Sequence, residues 1–136
     1  ALYKRTNPPL PFFPALPLPP SPHPPARQSI TGLEPVANTL VNLTVCDQRI
    51  KSIDYGCLNL PNLRQLYLHR NELTSLIGLS GVPRLQRLWV FQNKLTSIAE
   101  VHALPELSCL WAQANHIVNL NGVQLCADLT ELCLGA

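Results

Sequence analysis

From residue 30 onward the apolar positions of the chain fall into columns. Leu63, Leu85, Leu107 and Leu129 stand at intervals of 22, as do Leu66, Leu88, Leu110 and Leu132. Leu68, Val90, Ala112 and Leu134 follow two positions later. Further columns are Leu73, Leu95, Ile117; Leu76, Ile98, Leu120; and Leu79, Val101, Val123. An earlier copy runs through Leu40, Leu43, Val45, Ile50 and Ile53 at an interval of 23, and Ile30, Leu33 and Val36 read as the tail of one before it. Inside each unit a stretch such as Leu66-Tyr67-Leu68 alternates with period 2, which predicts a strand with one face in a core. A single unit cannot bury its leucines, so neighbouring units must stack and share one interior. Copies of one strand stacked in this way pair in parallel and in register.

One column is polar within this apolar frame: Asn71, Asn93 and Asn115. After each strand the chain must turn inward, which buries backbone N–H and C=O groups. Each such group left unpaired costs about 1–3 kcal/mol. A carboxamide both donates and accepts, so it can bridge the turns of successive units. The three asparagines are therefore expected to form a buried structural ladder. Gln48 holds the column in the first copy, on a longer stem, and predicts a less regular turn there. Pro61, Pro83 and Pro105, also 22 apart, stand just ahead of strand-starting positions and are read as ending the return turn.

Written as a unit, L-x-x-L-x-L-x-x-N-x-L-x-x-L resembles the leucine-rich repeat family over about residues 30 to 136. Its length is similar to the 22-residue class typified by a regulatory subunit of protein phosphatase one. The resemblance implies an α/β solenoid: a right-handed coil with a concave parallel β-sheet and convex short helical turns. About four repeats are expected, the last incomplete, because the next ladder position would be 137, one past the final residue. Further repeats are expected in the natural protein on that ground.

The strand alternation also says what the sheet presents outward. The central outward column reads Thr44, Tyr67, Trp89, Trp111, Cys133, and the next reads Cys46, His69, Phe91, Gln113, Gly135. With strands about 4.8 Å apart, Tyr67, Trp89 and Trp111 should form a row, Phe91 and His69 should lie beside it, and Arg64, Arg70 and Arg87 should flank it. Aromatic neighbours on a sheet stabilise its pairing. Exposed aromatics with arginines are also what protein interfaces use as anchors. These eight residues are the candidate partner-binding set.

Charge and composition narrow the function. The formal charge of +2 hides an uneven split: Lys4, Arg5 and Arg27 give the first 29 residues +3, and the remainder carries −1. The repeat region therefore has no broad basic field, and no nucleic-acid partner is expected. No apolar run reaches the length of about 18 residues that a membrane-spanning helix needs, so no membrane insertion is expected. Five cysteines without a Cys-x-x-Cys spacing suggest reduced thiols in a cytoplasmic protein, with nuclear or ciliary placement also compatible. His69, His102 and His116 lack metal-site spacing. Glu72, Lys94 and His116 share one column and read as a solvated edge. Cys109 and Cys133 could meet only diagonally, since position 131 faces 109, and no disulfide is expected. No metal, cofactor or catalytic residue is expected.

Ten of the fourteen prolines lie between Pro8 and Pro25. Proline fixes φ and removes the backbone donor, so residues 1–29 are expected to be a disordered proline-rich tail with polyproline II character. Its basic start and apolar middle suggest a signal peptide, but the interrupting prolines argue against one. Arg5-x-x-Pro8-x-x-Pro11 and Pro22-x-x-Pro25-x-Arg27 fit the two orientations of SH3 ligands, and Phe13-Pro14-Ala15-Leu16-Pro17 is similar to an EVH1 ligand. Such matches arise readily by chance among ten prolines, so the favoured reading is a spacer, or translated sequence not belonging to the mature protein, with SH3 or EVH1 binding as the alternative. The whole reads as a non-catalytic protein–protein interaction scaffold with its partner on the concave sheet. The family resemblance leaves two other roles open: regulatory subunit of an enzyme such as a protein phosphatase, or structural component of cilia or cytoskeleton.

Overall fold

The computed structural model describes residues 30–53 and 58–136. The proline-rich segment, with its SH3 and EVH1 motifs, and Cys57 lie outside the described residues. Five short strands, β1 (Asn42–Thr44), β2 (Gln65–Tyr67), β3 (Arg87–Trp89), β4 (Cys109–Trp111) and β5 (Glu131–Cys133), form one sheet in sequence order. All neighbours are parallel and in the register of the repeat, so that Leu43, Leu66, Leu88, Leu110 and Leu132 stand side by side. Hydrogen bonding continues past each strand: Leu68 N–H donates to Trp89 O at 2.8 Å and Arg70 N–H to Phe91 O at 3.0 Å.

The chain returns between strands through single 3₁₀ turns, at Leu79–Gly81, Ala99–Ala103 and Val123–Leu125, and these pack on one another. Another, Glu34–Val36, precedes β1. The interior is the stacked leucine columns: Leu63, Leu66, Leu68, Leu73, Leu76, Leu79 and their equivalents at 85, 88, 90, 95, 98 and 101 have no exposed surface. Fully burying a side chain of this size contributes about 1.5–3 kcal/mol, so each coil is held by its neighbours rather than by itself.

The prolines do more than end a turn. Leu63 N–H donates to Leu60 O, Leu85 to Val82 and Leu107 to Leu104, all between 3.1 and 3.2 Å. Pro61, Pro83 and Pro105 are therefore the second residues of hydrogen-bonded four-residue turns, where a φ near −65° is already required. The fourth turn, Leu129 N–H to Cys126 O at 3.2 Å, has Ala127 in that place. Its preceding residue, Cys126, has ψ 82°, beside 79° for Leu104 and 58° for Val82, both of which precede proline. Among the described residues the Ala127 N–H makes no backbone hydrogen bond. Ala127→Pro is thus expected to raise stability by about 0.4–1 kcal/mol through the unfolded chain, read as a shift of the urea midpoint at unchanged m.

Candidate protein-interaction face

The asparagine ladder sets the geometry on which the outward face rests. Asn71 Oδ1 accepts from the N–H groups of Gln48 (3.0 Å) and Ile50 (3.1 Å), while its Nδ2 donates to Val45 O (2.7 Å) and Leu68 O (2.8 Å). Asn93 accepts from Leu73 N–H (3.0 Å) and donates to Leu68 O (3.1 Å) and Val90 O (2.9 Å). Asn115 repeats this with Leu95 N–H, Val90 O and Ala112 O. Each amide ties its own turn to the coil before it. Asn71 and Asn93 are buried, at 8% and 6% exposure, and Asn115 is half-buried. Gln48 does not act as they do: its Nε2 only reaches back to Cys46 O at 3.2 Å.

A feature absent from the sequence reading precedes each ladder position. Arg70, Gln92 and Ala114 have φ between 55° and 59° or nearby at 54°, the left-handed region, and so does Asp47 at 58°. The first turn has a second such residue, Arg49 at 56°. These residues aim the chain inward after the strand, and the N–H groups of Asp47, Arg70, Gln92 and Ala114 donate to the next coil. Apart from Asp47, none is of a type enriched in this region, so at Arg70, Gln92 and Ala114 residue type gave no signal of the conformation.

With turns and strands fixed, the rings meet. Tyr67 and Trp89 stack with centroids 4.1 Å apart and planes 5° from parallel. Trp89 and Trp111 meet edge-on, 6.5 Å apart at 63°. His69 and Phe91 form a second stack, 4.4 Å and 10°. All five rings are half-buried, on the face opposite the leucine core. Cys46 extends the second stack, its Sγ lying 3.3 Å from His69 Nδ1. A thiol beside an imidazole is the arrangement of a nucleophile. Here burial, reinforced by Asp47, pushes the Cys46 thiol above its usual range, which keeps it protonated and unreactive.

The three arginines have different surroundings. Arg87 is exposed on the face itself, in β3 beside Trp89. Arg64 lies ahead of β2, with Nη1 3.8 Å from Glu106 Oε2. Arg70 lies past the other end of that strand, with Nε 2.9 Å from Asp47 Oδ1. Both ion pairs are solvent-exposed and each contributes at most about 1 kcal/mol. Glu72, read as part of a solvated edge, sits between Arg49 (3.0 Å) and Lys94 (3.9 Å). The hydrogen bond from Arg49, helped by Lys94, holds its carboxyl below the ordinary 4.5. Its stabilising effect is therefore present above that value and lost as pH falls through the lower folded-state one. In Glu72→Gln the urea midpoint should fall less between about pH 6 and pH 3 than in the parent chain.

A column immediately before the aromatic one was missed, although period 2 puts positions 65, 67 and 69 on the same side. It reads Asn42, Gln65, Arg87, Cys109, Glu131 in strand register. Tyr67 Oη donates to Gln65 Oε1 at 3.0 Å, and Trp111 Nε1 donates to Glu131 Oε1 at 2.7 Å. These bonds fix the ring orientations. Cys109 Sγ donates to Glu131 Oε2 at 3.6 Å. Burial, then the Glu131 carboxylate, keeps Cys109 a thiol, and Cys46, Cys109, Cys126 and Cys133 are all unpaired cysteines. Among the described residues no group of three or more metal-ligating side chains converges, and no helix is long and apolar enough to cross a membrane.

Comparison with known proteins bears on the whole arrangement. The model of the leucine rich repeat family matches residues 38–95. An internalin (InlF) of Listeria monocytogenes is 25% identical with a TM-score of 0.68, over 78% of this chain and 32% of that one. A leucine-rich repeat protein of Leptospira interrogans gives 19% identity and 0.60, over 81% and 36%. The chain thus spans about a third of the length of these two structures. No curated protein matches the sequence. Together the matches support a leucine-rich repeat family and a solenoid fold. Repeats of this kind generally mediate protein–protein interaction and are typically non-catalytic.

Proposed function

We propose that this chain is a non-catalytic protein-interaction scaffold that holds a protein partner on the outward face of its sheet. Tyr67, Trp89 and Trp111 are the anchors, His69 and Phe91 a second contact, and Arg64, Arg70 and Arg87 the charged rim. The observation that carries the reading is the row of large rings, half-exposed and locked in orientation, on the side of the sheet away from the core. Aromatic and arginine side chains of this kind dominate binding energy when a partner covers them. Orientation fixed before binding lowers the entropy that docking must overcome.

The finer parts of the reading are proposals on the same footing. The 22-residue interval supports membership of the class typified by a phosphatase regulatory subunit, and the phrase from Ile30 to Pro35 is similar to leucine-rich repeat-containing protein 9. A regulatory subunit of a phosphatase, or a component of cilia or cytoskeleton, would be partner-specific versions of this scaffold. Stoichiometric co-purification of a phosphatase, or of axonemal or tubulin proteins, separates them. The free cysteines support a cytoplasmic location.

The test is affinity. For peptides selected from a random library against the full chain, Trp89→Ala should weaken binding by about 2 kcal/mol and Trp111→Ala by at least about 1 kcal/mol. Circular dichroism must show both variants folded. Losses below about 1 kcal/mol in both would remove the aromatic row as the binding site.

A further inference from the structure

We propose, resting on that reading of the sheet face, that the Trp111–Glu131 end of the row is the seat of an arginine side chain of the partner. Glu131 is exposed, and its two carboxylate oxygens accept only from neutral donors, Trp111 Nε1 at 2.7 Å and Cys109 Sγ at 3.6 Å. No lysine or arginine among the described residues lies within ion-pair distance of it. A carboxylate with two oxygens offers about four acceptor positions, so acceptor capacity remains toward solvent. The negative charge on this part of the face is therefore uncompensated among the described residues.

The ring beside it is open on one side. Toward β3, Trp111 meets Trp89 edge-on. Toward β5 its column neighbour is Cys133, a small side chain, and no further ring contact is made among the described residues. An indole next to a small residue and a fixed carboxylate suits a planar cation, which stacks on the ring while forking its N–H groups onto the oxygens. Arginine meets both demands, whereas the ammonium of lysine is a strongly hydrated point charge that cannot fork. The middle of the row disfavours the same ligand: Arg87 shares the column of Glu131 two strands away, about 10 Å, and is exposed beside Trp89. A cation is repelled there and drawn to Trp111.

The chain has two tryptophans, both in this row, so the ¹⁵N-labelled full chain gives two indole N–H signals to follow. N-acetyl-arginine amide should shift the Trp111 signal saturably and move Trp89 less. N-acetyl-citrulline amide, the neutral near-isostere, and N-acetyl-lysine amide should bind at least about tenfold more weakly. Glu131→Gln keeps an acceptor for Trp111 Nε1 and removes the charge. It should leave the free-protein indole signals near their positions and weaken the arginine response about tenfold. Equal shifts from citrulline or lysine, or an unchanged response in Glu131→Gln, would overturn the proposal. The peptide selection keeps the two ideas apart. Peptides that depend on Trp89 but show no enrichment in arginine defeat the arginine seat and leave the scaffold reading intact. Selected peptides indifferent to Trp89 and Trp111 defeat the scaffold reading itself.

Discussion

Asn93→Ala is expected to lower the free energy of unfolding by about 2–4 kcal/mol, more than any single surface change in this chain. The deletion strands the Leu73 N–H and takes one of two amide donors from the carbonyls of Leu68 and Val90, which keep those of Asn71 and Asn115. At 6% exposure water cannot easily replace the amide, and each group left unpaired costs about 1–3 kcal/mol. Asn115→Ala removes an equivalent set from a half-buried site and should cost about half as much, because water reaches the stranded groups there. Asn93→Asp sharpens the test. It keeps the acceptor for Leu73 N–H but sets a carboxylate oxygen against two carbonyls. The charged form is disfavoured, so the folded-state pKa should lie above the unfolded value of about 3.9. Stability of that variant is then fullest below about pH 4 and is lost as pH rises through the higher folded-state value. Urea unfolding of the three variants at pH 7 and near pH 4 checks the ranking. A cost below about 1 kcal/mol for Asn93→Ala would mean that the turns do not depend on the ladder.

The same column of asparagines explains how much of the fold is legible in the sequence. A period of 22 fixes which residues become neighbours, so Leu66 beside Leu88 and Trp89 beside Trp111 follow from counting. Burial of the leucines and outward placement of the rings then follow from alternation. What counting could not supply is geometry that residue type does not encode. Arg70, Gln92 and Ala114 take left-handed backbone with side chains that carry no preference for it. The position is forced by the strand end on one side and the buried amide on the other. Glu131 carries no ring and sits in a column of mixed residue types, so alternation does not single it out, although its acceptor sets the orientation of Trp111. Arg64 and Arg70 were placed beside the row, where Glu106 and Asp47 hold them toward opposite strand ends. An ion pair between residues two coils apart, as for Arg64, depends on side-chain reach and not on the column.

Gly81→Ala is expected to cost about 2–5 kcal/mol, a result that counting would not anticipate. The positions one and two repeats on are Ala103 and Leu125, which tolerate side chains, so the column alone marks Gly81 as replaceable. The contact with the preceding coil differs. A Cβ on Gly81 would overlap the carbonyl oxygen of Leu58 and come within 2.7 Å of its carbonyl carbon. Across the same contact Leu60 N–H donates to Gly81 O at 2.9 Å. Backbone meets backbone there, so no side-chain rotation relieves the clash. Separating the coils adds an overpacking cost of about 1–3 kcal/mol to the loss of a buried hydrogen bond, about 1–3 kcal/mol more. The reverse change, Ala103→Gly, should cost only about 0.5–1 kcal/mol in backbone entropy. Hydrogen exchange locates the damage: in Gly81→Ala the Leu60 amide should exchange with the first coil while Cys109–Trp111 keeps its protection, since coils open from a weakened junction outward. Equal loss of protection throughout β1 to β5 would show that the junction is not a local weak point, and a cost below about 1 kcal/mol would show that the two backbones are not in contact.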